Sequence, residues 1–541
     1  MNPSSMPSVA IPRSRWIQEF NHSFSCLHGK LIPIDCFPVL PGDDYSVKKA
    51  ATEIIMSTPI VPIMGNIKVK ITAFFVPMRL LWENTEEFFG ANKTSAGPQL
   101  TTYTIPNYSI FNNGIPVGSV CHYLGKPYTT FDVSKTNYGK VSALKERGYW
   151  FIWSEWYRHQ QLQAPFVMNK ASSYPATFGT IGGTSIISTS LPANVCKQVD
   201  MFTAATTSPQ YGAAVSLPLG SYAPVGIINN GIAVPGGASW HSFGVGKAVA
   251  IPGSGNFTQG MVMDDDGVQV TDTSKLIADL SNATAAKIND IRYAFQLQKY
   301  LERANFGSRF FEVLAVHYGV TSPDSRLQRP EYLGGKTAPI SIRTVLSTAG
   351  YDAGVSQKVG QPGACSITMV DLSGLFSKGF VEPGYVYIMM STNHERSYSQ
   401  GLLQEDTKLS RWEIYSPEFA NLGDQEIKNK HIMVTGDATD EQPFGYQGHW
   451  DEYRYRRNRV SGLLDPVVPN ALDFWTLADK YTSRPSLSAS FIEENRDSLS
   501  RCLVSGNSGP DYIVDCYIQY QSTREMPMYA IPGLVDHFGA L

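Results

Sequence analysis

Between Gly65 and Pro77 the chain reads Ile67, Lys68, Val69, Lys70, Ile71, Thr72, Ala73, apolar and polar by turns. This predicts a strand with one face on a core and the other toward water. Phe74, Phe75 and Val76 end the alternation, so the strand is expected to be covered on both faces there. Short runs at 340–346, 385–390 and 513–520, each bounded by Gly or Pro, predict further strands of a sandwich. Tens of residues separate them, so the sandwich must carry long excursions, which in compact proteins are usually functional surfaces.

One stretch has the helical period instead. Over 274–303, Ile277, Leu280, Thr284, Ile288, Ile291, Phe295 and Leu301 fall near one stripe, with Thr273 or Ser274 as N-cap and Asn305 and Gly307 as terminators. Lys287, Asp290, Arg292, Lys299 and Glu302 take the other face, so this helix is expected to lie on the sandwich with one side wet.

Composition adds a boundary. Residues 176–263 carry only Lys197, Asp200 and Lys247 as charges but 14 of the 46 glycines, and enough Ile, Val, Leu, Phe and Tyr to pack. We read a surface insertion there, between residues 1–175 and 264–541. Over the whole chain of 541 residues, charged residues are 17%, against about 25% in average proteins. With 43% hydrophobic residues, wholesale disorder is excluded, and a surface poor in charge is suited to being covered by other subunits. The formal net charge of −3 excludes long-range attraction to phosphate, so any nucleic-acid contact must be local. The seven cysteines, at 26, 36, 121, 196, 365, 502 and 516, are odd in number and form no CxxC pair, which predicts reduced, mostly buried thiols. MNPSSMPSVAIPRSRW holds no basic segment followed by an apolar run, so neither export nor membrane insertion is expected.

Motifs of chemistry fail one by one. His394-Glu395 begins an HExxH-like string, but Tyr398 stands where the second zinc-binding His belongs. Asp264, Asp265, Asp266, Gly267 lacks the first and last acidic ligands of a calcium loop, with Val262 and Thr273 in their places. Around Gly244 to Lys247, His241 and Ala248 replace the first Gly and the Ser or Thr of a phosphate loop. Glu493 and Glu494 are adjacent, and adjacent strand residues point to opposite faces. No catalytic residue, metal site or cofactor is therefore expected.

One segment suits nucleic acid. Tyr453, Arg454, Tyr455, Arg456, Arg457 and Arg459 interleave rings that can stack on unpaired bases with guanidinium groups that neutralise phosphate. The same arginines could instead bridge subunits through carboxylates such as Asp451 and Glu452. Pro33, Pro38 and Pro41, and Pro527 and Pro532, suit either extended arms over neighbouring subunits or ordinary loops.

Four segments carry a family resemblance in fixed order: PRSRW (12–16) with LIPIDCFPVLPGDDYSV (31–47), TPIVPIMGNIKVKITAFFVPMRLLW (58–82), TSPDSRLQRPEYLGG (321–335) and MPMYAIPGLVDHF (526–538). Residues 288–310, 444–462 and 491–497 add to it. Together they resemble the major capsid proteins of the gokushovirus-like Microviridae, small single-stranded-DNA bacteriophages. The resemblance implies a mainly β protein, a viral jelly-roll β-sandwich with long insertions and a few helices. It implies a non-enzymatic subunit that self-assembles into a T=1 icosahedral shell around circular single-stranded DNA, a virion component assembled in the host bacterial cytoplasm. It further implies an internal scaffolding protein, a DNA pilot protein and a small basic DNA-binding protein as partners. By the same analogy 176–263 is the candidate three-fold protrusion, meeting a host surface receptor. Within TSPDSRLQRPEYLGG, Arg326, Arg329 and Glu331 could form contacts between subunits or brace their own loop. A phage receptor-binding or tail protein, also β-rich and oligomeric, and a β-sandwich carbohydrate hydrolase are the competing readings.

Overall fold

The computed structural model describes residues 13–91, 103–171, 177–213, 215, 225–229, 232–233, 275–278, 288–305, 309–341, 344–346, 362–365, 367–526 and 528. Eight strands build the body: β1 (Ser14–Cys26), β2 (Ile32–Val39), β3 (Asp44–Met56), β4 (Ile67–Pro77), β5 (Glu331–Pro339), β6 (Ile367–Asp371), β7 (Gly384–His394) and β8 (Tyr512–Arg524). They form two antiparallel sheets, in the orders β1-β8-β3-β6 and β5-β4-β7-β2, with Ser377–Gly379 also pairing to β3. First strand beside last, third beside sixth, second beside seventh and fourth beside fifth is the strand order of a jelly roll.

Alternation explains the core. Ile67, Val69 and Ile71 of β4, Val386 and Ile388 of β7, and Val514 and Ile518 of β8 turn inward to one buried cluster. The expected loss of alternation at Phe74 to Val76 has its cause here. A helix, α1 (Leu144–Ile152), brings Tyr149 and Trp150 onto the outer face of the second sheet, where they join Phe74, Val76, Tyr387 and Met389. That sheet is therefore covered on both sides. Tyr387 Oη donates to the Lys145 carbonyl at 3.0 Å, and Gly148 leaves the room that this contact needs.

The long excursions run from Pro77 to Glu331 and from His394 to Tyr512. A further apolar cluster joins the two, with Phe202 of the first packed among Tyr398, Ile427, Ile432, Phe444 and Phe491 of the second. Pro33 and Pro38 lie in β2, at the edge of its sheet, where a residue without an N–H is tolerated. These prolines belong to the subunit's own sandwich, neither to an arm nor to a loop. The strand expected over 340–346 is displaced: β5 ends at Pro339, and Thr344–Leu346 pairs with Pro362–Cys365. Cys26, Cys36, Cys121, Cys502 and Cys516 are free and buried, and Cys196 is free and half-buried.

Gln210–Asn305 forms a second compact unit. The expected insertion at 176–263 overlaps it only from Gln210 onward; residues 177–209 belong to the first unit. Within the second unit, Val225–Asn229 pairs with Ile232–Ala233 and with Lys275–Ala278. The helix expected over 274–303 is therefore shorter: α2 is Ile288–Ala304. Leu276 and Ile277 have the apolar spacing of a helix but also strand propensity, and cross-strand pairing with Ile227 and Gly226 decides for the strand. Phe295 of the expected apolar stripe is exposed. Gln298 Nε2 donates to Gln210 Oε1 at 2.6 Å and to Glu302 Oε1 at 3.0 Å. Residues 264–266, with the acidic triplet, lie outside the described residues.

Candidate assembly and nucleic-acid surfaces

The segment singled out for nucleic acid follows the strand Pro443–Gly448, which pairs with Asp424–Lys428. Trp450 turns the chain with a φ of +67° and is buried, its Nε1 donating to the Phe419 carbonyl at 2.8 Å. The turn of helix Asp451–Arg454 then presents Tyr453 beside Trp450 and Tyr415, with ring centroids 6.1 Å from each. Lys408 Nζ lies 4.3 Å from the Tyr453 ring centroid and 4.8 Å from that of Trp450, and pairs with Glu452, which also accepts from Gln425 Nε2 at 2.7 Å. Burial alone would raise the Glu452 carboxyl; Lys408 and the hydrogen bonds to it hold it below the usual range.

From Tyr453 onward the side chains divide. Tyr453, Tyr455, Arg454, Arg456 and Arg459 are exposed. Arg454 pairs with Asp451 at 2.5 Å. Arg457 is different: it is half-buried, with Nη1 donating to the His431 carbonyl at 2.5 Å and Nη2 to the Gly401 carbonyl. It holds two loops together, with both Nη groups engaged inside the subunit. A Cβ at residue 401 would collide with the His431 carbonyl, so only glycine allows this approach. Asn458 pins the next step, donating to the Arg396 carbonyl at 3.1 Å.

The three interface candidates also separate. Arg329 is buried, its guanidinium 4.0 Å from the Trp156 ring centroid and 4.1 Å from that of Phe311, with Nε 3.0 Å from Asp324 Oδ1. It braces its own subunit. Glu331 pairs with Lys378 within the same chain. Arg326 is exposed. Pro527 and Pro532 lie outside the described residues.

Sequence reasoning missed the apolar surface beside the aromatic segment. Leu409, Trp412, Ile414 and Tyr415 are exposed within one loop, and Leu409 is 93% accessible. Their mixture with charged residues hides them from any periodicity, though a cluster of large apolar residues without a strand or helix period is itself a signal.

The comparisons with known proteins extend over the whole chain. A family model described as "Capsid protein (F protein)" matches residues 4–534. The chain is similar to "Capsid protein VP1" of Bdellovibrio phage phiMH2K, 32% identical over 551 residues, covering 98% of this chain and 97% of that protein. It is 30% identical to "Capsid protein VP1" of Chlamydia phage 1, covering 98% and 97%. It is also 30% identical to "Capsid protein VP1" of Spiroplasma virus 4, covering 94% and 92%.

Proposed function

Because the chain belongs to the capsid protein (F protein) family of gokushovirus-like phages, we propose that its copies close into a T=1 icosahedral shell around circular single-stranded DNA. Its role is structural: it is a major capsid protein of a phage and a component of the virion. Among the described residues no helix is long and apolar enough to cross a membrane.

The exposed cluster of Leu409, Trp412, Ile414 and Tyr415 carries the assembly reading. Side chains of this size, gathered on one loop, are stabilised when another copy covers them. Closed symmetry then repeats one modest contact until the shell is stable.

Inside the shell, Tyr453, Arg454, Tyr455, Arg456 and Arg459 meet the genome by stacking and phosphate contact. A chain of net charge −3 cannot neutralise a packaged genome, so a small basic DNA-binding protein and cations balance most of the phosphate. An internal scaffolding protein and a DNA pilot protein act alongside it in the host cytoplasm, and the part of the 176–263 insertion from Gln210 onward protrudes toward a host surface receptor.

Electron microscopy of the full-length chain produced with the other phage structural proteins tests this. Closed spherical shells protecting circular DNA that a single-strand-specific nuclease digests after release are expected. Elongated trimers, or a solitary molecule that turns over a small compound, would overturn it.

A further inference from the structure

Among the described residues, one group of histidine and carboxylate side chains stands close enough to share an ion: His28, His394 and Glu494. His28 follows β1, His394 ends β7, and Glu494 lies in the excursion before β8. All three side chains are completely buried. His28 Nε2 and His394 Nδ1 are 3.0 Å apart, and they lie 3.2 Å and 3.1 Å from Glu494 Oε1.

Three facts bear on what holds this triangle. Its edges are close to the spacing of about 3.3 Å expected between ligands placed tetrahedrally around an ion with bonds of about 2.0 Å. His28 Nδ1 lies 3.1 Å from Tyr512 Oη, the outer contact that fixes a ligating imidazole, whereas His394 Nε2 is buried without such a partner. Finally, Glu494 Oε2 is buried without a hydrogen-bond partner. Held by hydrogen bonds alone, the cluster would crowd His28, His394 and Arg396 Nη2 onto Oε1 and leave Oε2 bare. Such an orphaned buried oxygen is destabilising.

Arg396 divides its two Nη groups between Glu494 and Asp479, and Lys197 lies 4.0 Å from Asp479, so two carboxylates and two cations surround the triangle. The guanidinium on Glu494 is then the outer hydrogen bond that a ligating carboxylate keeps.

We propose that His28 Nε2, His394 Nδ1 and both oxygens of Glu494 bind a zinc ion. Two imidazoles and a carboxylate suit zinc, whereas calcium and magnesium require a shell of oxygens. The site is closed to solvent, so its role is structural. It joins the first strand's exit, the end of β7 and the excursion that returns to β8, three segments that meet only in the folded chain. The sequence showed only a failed HExxH string at His394, because the partner ligands lie hundreds and a hundred positions away.

Elemental analysis of particles assembled from the full-length chain, purified without chelator, should give about one zinc per chain. His394→Ala and Glu494→Gln should each lower that content by roughly tenfold or more. Because these variants could fold poorly, the wild-type protein decides independently. Refolding it with dipicolinate should lower its melting midpoint, and added zinc should restore it. Zinc-free particles whose midpoint neither chelator nor zinc moves would overturn the assignment.

Discussion

The Arg329 guanidinium lies 4.0 Å from the centre of the Trp156 ring, and Trp156 Nε1 donates to the Pro330 carbonyl at 2.9 Å. The two residues therefore hold each other, with the Phe311 ring centroid 4.1 Å from the same guanidinium and Asp324 in the ion pair. Lysine cannot reproduce a planar stack between two rings. Arg329→Lys should lower subunit stability by about 1–2 kcal/mol, and Arg329→Ala by about 3–5 kcal/mol because Asp324 loses its partner. Urea unfolding of the unassembled chain checks this; an unchanged midpoint with defective shells would return Arg329 to the interface.

Gly148 carries a second test of packing. A methyl group on it would lie on the Tyr387 hydroxyl, in a sheet covered on both faces. Gly148→Ala gains about 1 kcal/mol of helix propensity. The overpacking should outweigh that gain, with a loss of about 1–3 kcal/mol. Removing the hydroxyl should relieve part of the clash, so Gly148→Ala combined with Tyr387→Phe should lose less than the sum of the single changes. Thermal melting of the four proteins measures the coupling.

How far the chain could be read from its residues follows from where the determining contacts lie. The strand at 67–77 was legible because its period is local, and so was its covered end. Residues 275–278 were misread because a partner strand some fifty positions earlier, at 225–229, outweighs the local helical spacing. Arg456 and Arg457 are chemically identical neighbours, yet one is exposed and the other clasps two carbonyls of distant loops. Only the tertiary approach of residues 401 and 431 distinguishes them. His28 had no signal for the same reason, and Glu494 stood out only as one of two adjacent carboxylates.

His431 makes stability depend on pH. It is buried, its Nδ1 accepts from the Lys428 N–H at 3.2 Å, and its Nε2 is 3.2 Å from Thr407 Oγ1. Burial first, then Lys430, Arg457 and Lys428, push its pKa down to about 4, with Glu441 opposing. A base depressed in the folded state is protonated more readily when unfolded, so its contribution is complete above about pH 6.5. It is lost as pH falls from about 6.5 toward 4, at no more than about 1.4 kcal/mol per pH unit. Unfolding midpoints measured across that window should fall more steeply for the wild type than for His431→Gln. Equal slopes would show that this imidazole does not control the transition.

The exposed and braced arginines of one segment should fail in different ways. Arg456 and Arg459 are exposed, so replacing both by Gln removes charge without removing a contact within the subunit. If the segment meets the genome, shells should still close while the protected DNA per particle, read from the ratio of absorbance at 260 and 280 nm, falls. Arg457→Gln should instead release the His431 and Gly401 carbonyls and lower the subunit's unfolding midpoint, by about 1–3 kcal/mol. Normal DNA content with broken assembly in the Arg456→Gln, Arg459→Gln protein would move those two residues to contacts between subunits, where Asp451 and Glu452 of another copy would be their natural partners.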